Sequence, residues 1–134
     1  MQTFLPYRSF TQTARCLDYR RLGKQRVEAM QILNALKDTD YGWQNHPAVS
    51  MWKPYQAALE QYHDAMIYEW IARGYKNNMK LFGTTFAVKP HWLSRRFCIA
   101  HRSNLLRKDF DFYSRYDWNV PDDLPYIWPE GAIR

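Results

Sequence analysis

Between Ser50 and Gly74 the chain carries Trp52, Tyr55, Leu59, Tyr62, Met66 and Trp70 at steps of three and four residues. That spacing draws one apolar face on an α-helix; a strand would need alternation with period two. The helix is expected from a cap at Ser50 to about Arg73, with Pro54 tolerated near its first turn and Gly74 as the stop. A second stripe, Val27, Met30, Leu33 and Leu36, widened by Ala29 and Ile32, predicts a helix from Lys24 to about Lys37. A third helix is expected from Pro90 to about Lys108, with Trp92, Leu93, Phe97, Ile99, Ala100 and Leu105 facing inward. No alternating strand pattern, repeat or low-complexity stretch competes with these. The expected fold is all-α, a compact single domain over residues 1–134 with three main helices.

The connecting segments are read more coarsely. Residues 1–10 look extended. Thr11 or Thr13 is expected to cap a short helix reaching about Leu22, which Gly23 interrupts or kinks. Residues 38–43 form a turn-rich loop, and one turn of helix is possible at Asn77–Leu81. The tail from Asp117 contains three prolines and two tryptophans up to Pro129 and reads as an irregular strap packed by its aromatics.

Composition excludes several classes. Apolar residues make up 46% of 134, too many for disorder, and no run approaches the roughly 18 uncharged apolar residues of a membrane span. The opening MQTFLPYRSF has no basic-then-apolar leader pattern, and two cysteines cannot build a disulfide framework, so a reducing, cytoplasmic setting with no membrane contact is expected. The net charge is +6 and aromatics reach 17%. A basic surface draws polyanions, and rings in a basic groove stack on bases, although any one ring more often simply fills the core. The charge is uneven: Lys and Arg outnumber Asp and Glu two to one up to Tyr116, whereas Asp117–Arg134 holds four acids and one base.

Three clusters carry candidate chemistry. In Asp18-Tyr-Arg-Arg-Leu-Gly-Lys-Gln-Arg-Val-Glu28, helical spacing puts Arg20 over Lys24 and aligns Arg21, Gln25 and Glu28. The cations would hold phosphates beside an acid that moves protons; alternatively this is a solvated face with Arg21 linked through Gln25 to Glu28. In Trp43-Gln-Asn-His46-Pro, His46 is suited to acid–base work, or simply pins the loop by hydrogen bonds. From Arg95 through Arg102 and Lys108 to Tyr113, Arg115 and Tyr116, basic residues lead into aromatics, which suits either a nucleic-acid groove or a helix end covered by rings. Cys98 and His101 have no second pair at ligand spacing, so no metal site is expected; neither a phosphate-binding glycine loop nor a hydrolase serine motif is present, and no cofactor is expected.

In this order the clusters resemble the pyrimidine-dimer DNA glycosylase family of the phage endonuclease V type. LDYRRLGKQRV is similar to its first-helix segment, which reads tyrosine, arginine, glutamate, leucine, proline, arginine. The stretch from His46 to Arg73-Gly74-Tyr75 resembles its second, where a histidine precedes a helix ending Arg-Gly-aromatic. PHWLSRRFCIAHRSNLLRKDFDFYSRY resembles its third helix and aromatic DNA-contacting loop, and MQTFLPY and PDDLPYIWP resemble an uncharacterised bacterial and phage group near that family.

The resemblance implies an all-α DNA-repair protein without cofactors that acts as a monomer on duplex DNA, kinked or with a flipped base. It implies a glycosylase and abasic-site lyase whose N-terminal amine attacks C1′ of the damaged nucleotide. Free α-amines titrate at about 7.7 to 8, so roughly a tenth is neutral near pH 7 and can form an imine. Two departures stand out. The family's nucleophile is a threonine exposed by methionine removal, whereas Gln2 is too large for that processing, which leaves the amine of Met1. Arg21 also stands where the catalytic glutamate would be, so Glu28, seven residues on, and Asp18, three before, are the candidate acids, with Arg21 and His46 beside them. Arg20 and Arg26 match phosphate-gripping arginines; Lys24, Arg102, Lys108 and Arg115 would join them, with Tyr113 and Tyr116 touching bases or sugars. The rival expectations are a non-catalytic nucleic-acid binder on the same scaffold, or an enzyme that takes a free nucleotide into a closed pocket around His46, Trp52 and Arg21.

Overall fold

A computed structural model describes residues 1–38 and 45–129, and among these it is helical with no strand. The helices are α1 (Phe10–Cys16), α2 (Tyr19–Lys37), α3 (Pro47–Ser50), α4 (Gln56–Ala72), α5 (Arg95–Lys108) and α6 (Phe110–Tyr113). The loop expected at 38–43 lies outside the described residues beyond Asp38, as does Trp43.

The boundaries follow capping chemistry more than periodicity. Ser9, not a threonine, starts α1 by accepting from the Gln12 N–H at 3.1 Å, and α1 ends at Cys16. Asp18 then opens a new helix, its carboxylate accepting from the Arg21 N–H at 3.4 Å. Gly23 neither interrupts nor kinks that helix. It lies inside α2 where the Trp70 ring of α4 presses closest: a Cβ there would stand 2.9 Å from Trp70 Cζ3. The helix accepts glycine's weak propensity because that face has no room for a side chain.

Ser50 closes α3, and it is His46 that caps α3, with Nδ1 accepting the Ala48 N–H at 3.0 Å. A 3₁₀ turn at Lys53–Tyr55 absorbs Pro54 before α4. Gly74 ends α4 in the left-handed region (φ 89°). Residues 75–88 form no helix; Asp64 holds them by accepting the Phe82 and Gly83 N–H groups at 3.0 and 2.9 Å. Pro90 starts a turn, and α5 begins at Arg95 under a Ser94 cap.

The α4 stripe packs as the sequence implies: Trp52, Leu59, Tyr62 and Met66 are fully buried, while Tyr55 and Trp70 are half-buried. The face of α2 is rotated from the expected one. Leu22, Gln25, Glu28, Ala29, Ile32 and Leu33 point inward, and Val27 is 45% exposed. The cause is residues 1–5, which run between α2, α4 and α5 with Gln2 to Leu5 all buried.

This buried N-terminal segment has no strand partner, so side chains satisfy its backbone. Gln25 accepts the Phe4 N–H at 3.0 Å and donates to the Gln2 carbonyl at 2.9 Å. The Tyr62 hydroxyl lies 2.8 Å from the Phe4 carbonyl and 2.5 Å from Gln25 Oε1. Trp52 donates to Thr3 Oγ1 at 3.0 Å, and His101 Nδ1 accepts the Leu5 N–H at 3.0 Å.

Because a backbone N–H donates to Nδ1, the His101 proton sits on Nε2, and burial pushes the ring's pKa down to about 3. The unfolded histidine, near 6.5, takes a proton that the folded one refuses. Stability is therefore lost as pH falls from 6.5 towards 3, at about 1.4 kcal/mol per unit for this group. Urea unfolding at pH 7 and pH 5 is expected to show a loss of about 2 kcal/mol from His101, absent in His101→Gln after correction for that variant's stability at pH 7.

Candidate active site

The N-terminal segment emerges at one end of the bundle into an open cleft of about 940 Å³. The start of α2 and its Glu28, the cap of α3, the end of α5 and the C-terminal strap wall this cleft. It brings together Met1, Asp18, Arg20, Arg21, Lys24, Glu28, His46 and Lys108. Arg20, Lys24 and Lys108 are exposed, and the acids are recessed.

Glu28 is held at the floor, 9% exposed. Its Oε2 accepts from the Gln2 N–H at 3.4 Å and from Gln25 Nε2 at 3.1 Å, and Lys24 Nζ stands 3.6 Å from Oε1. The same Gln25 amide thus grips both the acid and the backbone next to Met1. The sequence reading gave Gln25 only a bridging role between Arg21 and Glu28. Arg21 instead pairs with Asp18, Nη1 to Oδ1 at 3.1 Å.

Asp18 is committed to structure. Burial pushes its carboxyl up, but hydrogen bonds from Tyr113 and Arg21 outweigh this and hold the pKa below the ordinary carboxylate range. The Tyr113 hydroxyl donates to Asp18 Oδ1 and accepts the Asp18 N–H at 3.0 Å. Arg21 is pushed down by burial, and the Asp18 carboxylate more than restores it. His46 has its pKa lowered, first by burial and then by the N-terminal ammonium, against a smaller opposing pull from Glu28. Amine, imidazole and carboxylate therefore lie within electrostatic reach of one another. With Nδ1 accepting the Ala48 N–H, neutral His46 carries its proton on Nε2.

Five expected DNA contacts lie outside the cleft lining, and four of them are engaged in holding the fold. Tyr113 is fully buried and cannot touch a base; it supports Asp18. Tyr116 donates to the Cys16 carbonyl at 2.8 Å and stacks on Trp118. Arg102 donates to the Pro6 carbonyl at 2.7 Å, with its guanidinium 4.7 Å from the Tyr7 ring centre. Arg26 lies 4.2 Å over Trp70 and donates to Asn77 at 2.7 Å. Arg115 is exposed and folds over Phe112. For most of the basic–aromatic cluster, rings covering a helix end is the better description, with Lys108, Asp109 and Phe112 the residues it gives to the cleft. Trp52, expected in a nucleotide pocket, is core.

Among the described residues no group of three His, Cys, Asp or Glu is placed to hold a metal. Cys16 and Cys98 are buried, which pushes their thiols up to about 12 and about 11. No helix among them is long and apolar enough to cross a membrane. A second groove of about 890 Å³, between α1, α4 and residues 83–89, mixes Arg8, Arg15 and Lys89 with Asp64 and Glu69, and the Met1–Glu28–His46 group has no part in it.

Comparison with known proteins gives the family. No curated protein and no solved structure matches the chain. The family model described as pyrimidine dimer DNA glycosylase matches residues 1–82, more than half the chain and the part that carries Met1, Asp18 to Glu28 and His46. A family of DNA glycosylases implies a DNA substrate, which suits an open cleft rimmed by exposed cations. The chain belongs to the pyrimidine dimer DNA glycosylase family.

Proposed function

We propose that this protein removes a damaged pyrimidine from DNA and cuts the strand at the resulting abasic site, with the α-amine of Met1 as nucleophile and Glu28 as the proton-transferring acid. The observation that supports this reading is that one buried amide, Gln25, holds both the Glu28 carboxylate and the carbonyl of Gln2, the residue after Met1, in a cleft that all of them line.

The neutral amine attacks C1′, and the N-glycosidic bond breaks with its electron pair leaving on the base, which takes up a proton. The sugar ring opens as the amine nitrogen shares its lone pair with C1′; O4′ leaves and is protonated, giving the Schiff base. Loss of a C2′ proton then expels the 3′ phosphate by β-elimination, and water releases the imine. Glu28 stabilises the positive charge developing at C1′ and accepts the C2′ proton. His46, whose pKa burial and the N-terminal ammonium lower, adds no cation beside the amine. Arg20, Lys24 and Lys108 grip phosphates, and Arg21, aimed by Asp18, lies deeper. The duplex is kinked, with a base out of the stack, and the protein works as a monomer.

The test is borohydride trapping on duplex DNA carrying an abasic site. A reduced adduct on the peptide that begins at Met1 is expected. Salt-sensitive binding with no adduct would overturn the reading in favour of a binder without chemistry.

A further inference from the structure

One guanidinium in the basic cleft is built into the fold. Arg21 lines the cleft with only 24% of its side chain exposed, whereas its neighbour Lys24 is 72% exposed. We infer that Arg21 binds the 3′ phosphate of the abasic nucleotide and carries the charge that appears on it when the strand is cut. The inference deepens the proposed function and rests on it.

Three observations converge. First, a relay of buried groups aims the side chain. Arg21 Nη1 donates to Asp18 Oδ1 at 3.1 Å, and Asp18 Oδ2 accepts the Arg21 N–H at 3.4 Å. Asp18 is fixed in turn by the fully buried Tyr113, whose hydroxyl donates to Oδ1 and accepts the Asp18 N–H at 3.0 Å. Arg20, Lys24 and Lys108 are exposed side chains at the rim. Second, the fork is not used up. Asp18 takes one of its five N–H groups, and among the described residues the guanidinium makes no other hydrogen bond. Third, Arg21, Gln25 and Glu28 form one row along α2, and all three line the cleft. Seven residues of helix set Arg21 and Glu28 about 10 Å apart along the axis. With a long side chain at each end, an acid at the sugar and a fork at its phosphate can act on one sugar-phosphate unit. Tyr126 and Trp128 of the strap line the same cleft but bring no cation.

The last step of the proposed reaction asks for such a group. Once the imine has formed, Glu28 takes the C2′ proton. The C–H electron pair passes through the iminium system and ends as the C2′–C3′ double bond, while the C3′–O bond breaks with its pair on the phosphate oxygen. A diester with one negative charge becomes a monoester approaching two. The second pKa of such a monoester is about 6, so near neutral pH it leaves without a proton and needs a cation instead. Arginine stays charged and can present parallel N–H groups to phosphate oxygens. Burial works against that charge here, and the Asp18 carboxylate more than restores it. A donor already aimed when charge develops costs no reorganisation, which the exposed lysines at the rim cannot offer.

The test reads two steps of one reaction. Wild type, Arg21→Gln and Arg21→Lys, each in excess over a duplex with a single abasic site, are sampled over time with and without borohydride. Trapped adduct reports imine formation, and the shortened strand reports cutting. In Arg21→Gln, cutting is expected to slow about tenfold or more beyond any slowing of imine formation, so that adduct carrying uncut DNA accumulates. Arg21→Lys keeps a charge beside Asp18 but loses the fork. It is expected to show the same separation at about threefold or more, and it stands in for Arg21→Gln if that variant does not fold. A smaller separation in either folded variant would overturn the assignment, because a residue that only supports the fold slows both steps alike. A wild type that forms no adduct with abasic DNA would instead overturn the proposed function itself.

Discussion

Glu28→Gln is expected to lower single-turnover base release from dimer-containing duplex by about 10²- to 10⁴-fold, the range of a positioned general acid or base. Glutamine matches the carboxylate in shape, and its carbonyl oxygen can still accept from the Gln2 N–H and Gln25 Nε2. What it removes is the carboxylate's charge and the ability to take a proton, the two properties that the proposed mechanism uses. DNA affinity and its salt dependence should change little, because Arg20, Lys24 and Lys108 remain. Asp18→Asn should do the reverse. Its partners Arg21 and Tyr113 lose a charged acceptor, so the melting temperature falls, while the variant keeps a far larger share of base release than Glu28→Gln. An Asp18→Asn variant as inactive as Glu28→Gln, at a temperature where it is folded, would move the acid's role to Asp18.

Gln25→Ala is expected to give the largest loss of stability from a polar substitution in this chain, about 2 to 5 kcal/mol. One side chain removed takes the side-chain partners from the buried Phe4 N–H and Gln2 carbonyl, and Glu28 and Tyr62 each lose a neighbour. In thermal melts this corresponds to a drop of about 10 °C. Tyr62→Phe, which removes only a hydroxyl, should cost about 1 kcal/mol. If the N-terminal segment is what places the nucleophile, Gln25→Ala should also lose trapped adduct at temperatures where the helices remain folded. Full adduct formation in that variant would show that Met1 is placed by other means.

The helical class and the α4 stripe were legible because a single chain-local period determines them. The register of α2 was not. Val27, Met30, Leu33 and Leu36 make as good a stripe as the one actually buried, and only the segment that packs across Gln25 and Glu28 decides between them. Gly23 misled for a related reason: its propensity is local, whereas the ring that fills its place belongs to α4, nearly fifty residues on. Asp18, Arg21, Glu28 and His46 could be picked out because charged side chains stand out in a short window. Tyr113, Tyr116 and Arg102 could not be sorted, because rings and cations covering a helix end have the same composition as a DNA groove. Tyr126 and Trp128 gave only a packing signal, as nothing in a proline-rich tail tells which rings face a cleft.

The threading of the first five residues also fixes an order of assembly. Thr3 waits for Trp52, the Phe4 carbonyl for Tyr62, and the Leu5 N–H for His101, at sequence separations of 49, 58 and 96 residues. Such distant closures come late in folding, since the intervening chain must be ordered first. Residues 3–5 are thus among the last parts to be seated. Until α5 is in place the Leu5 N–H has no acceptor and the cleft lacks its Lys108 wall, so the cleft and the seating of residues 3–5 are completed together.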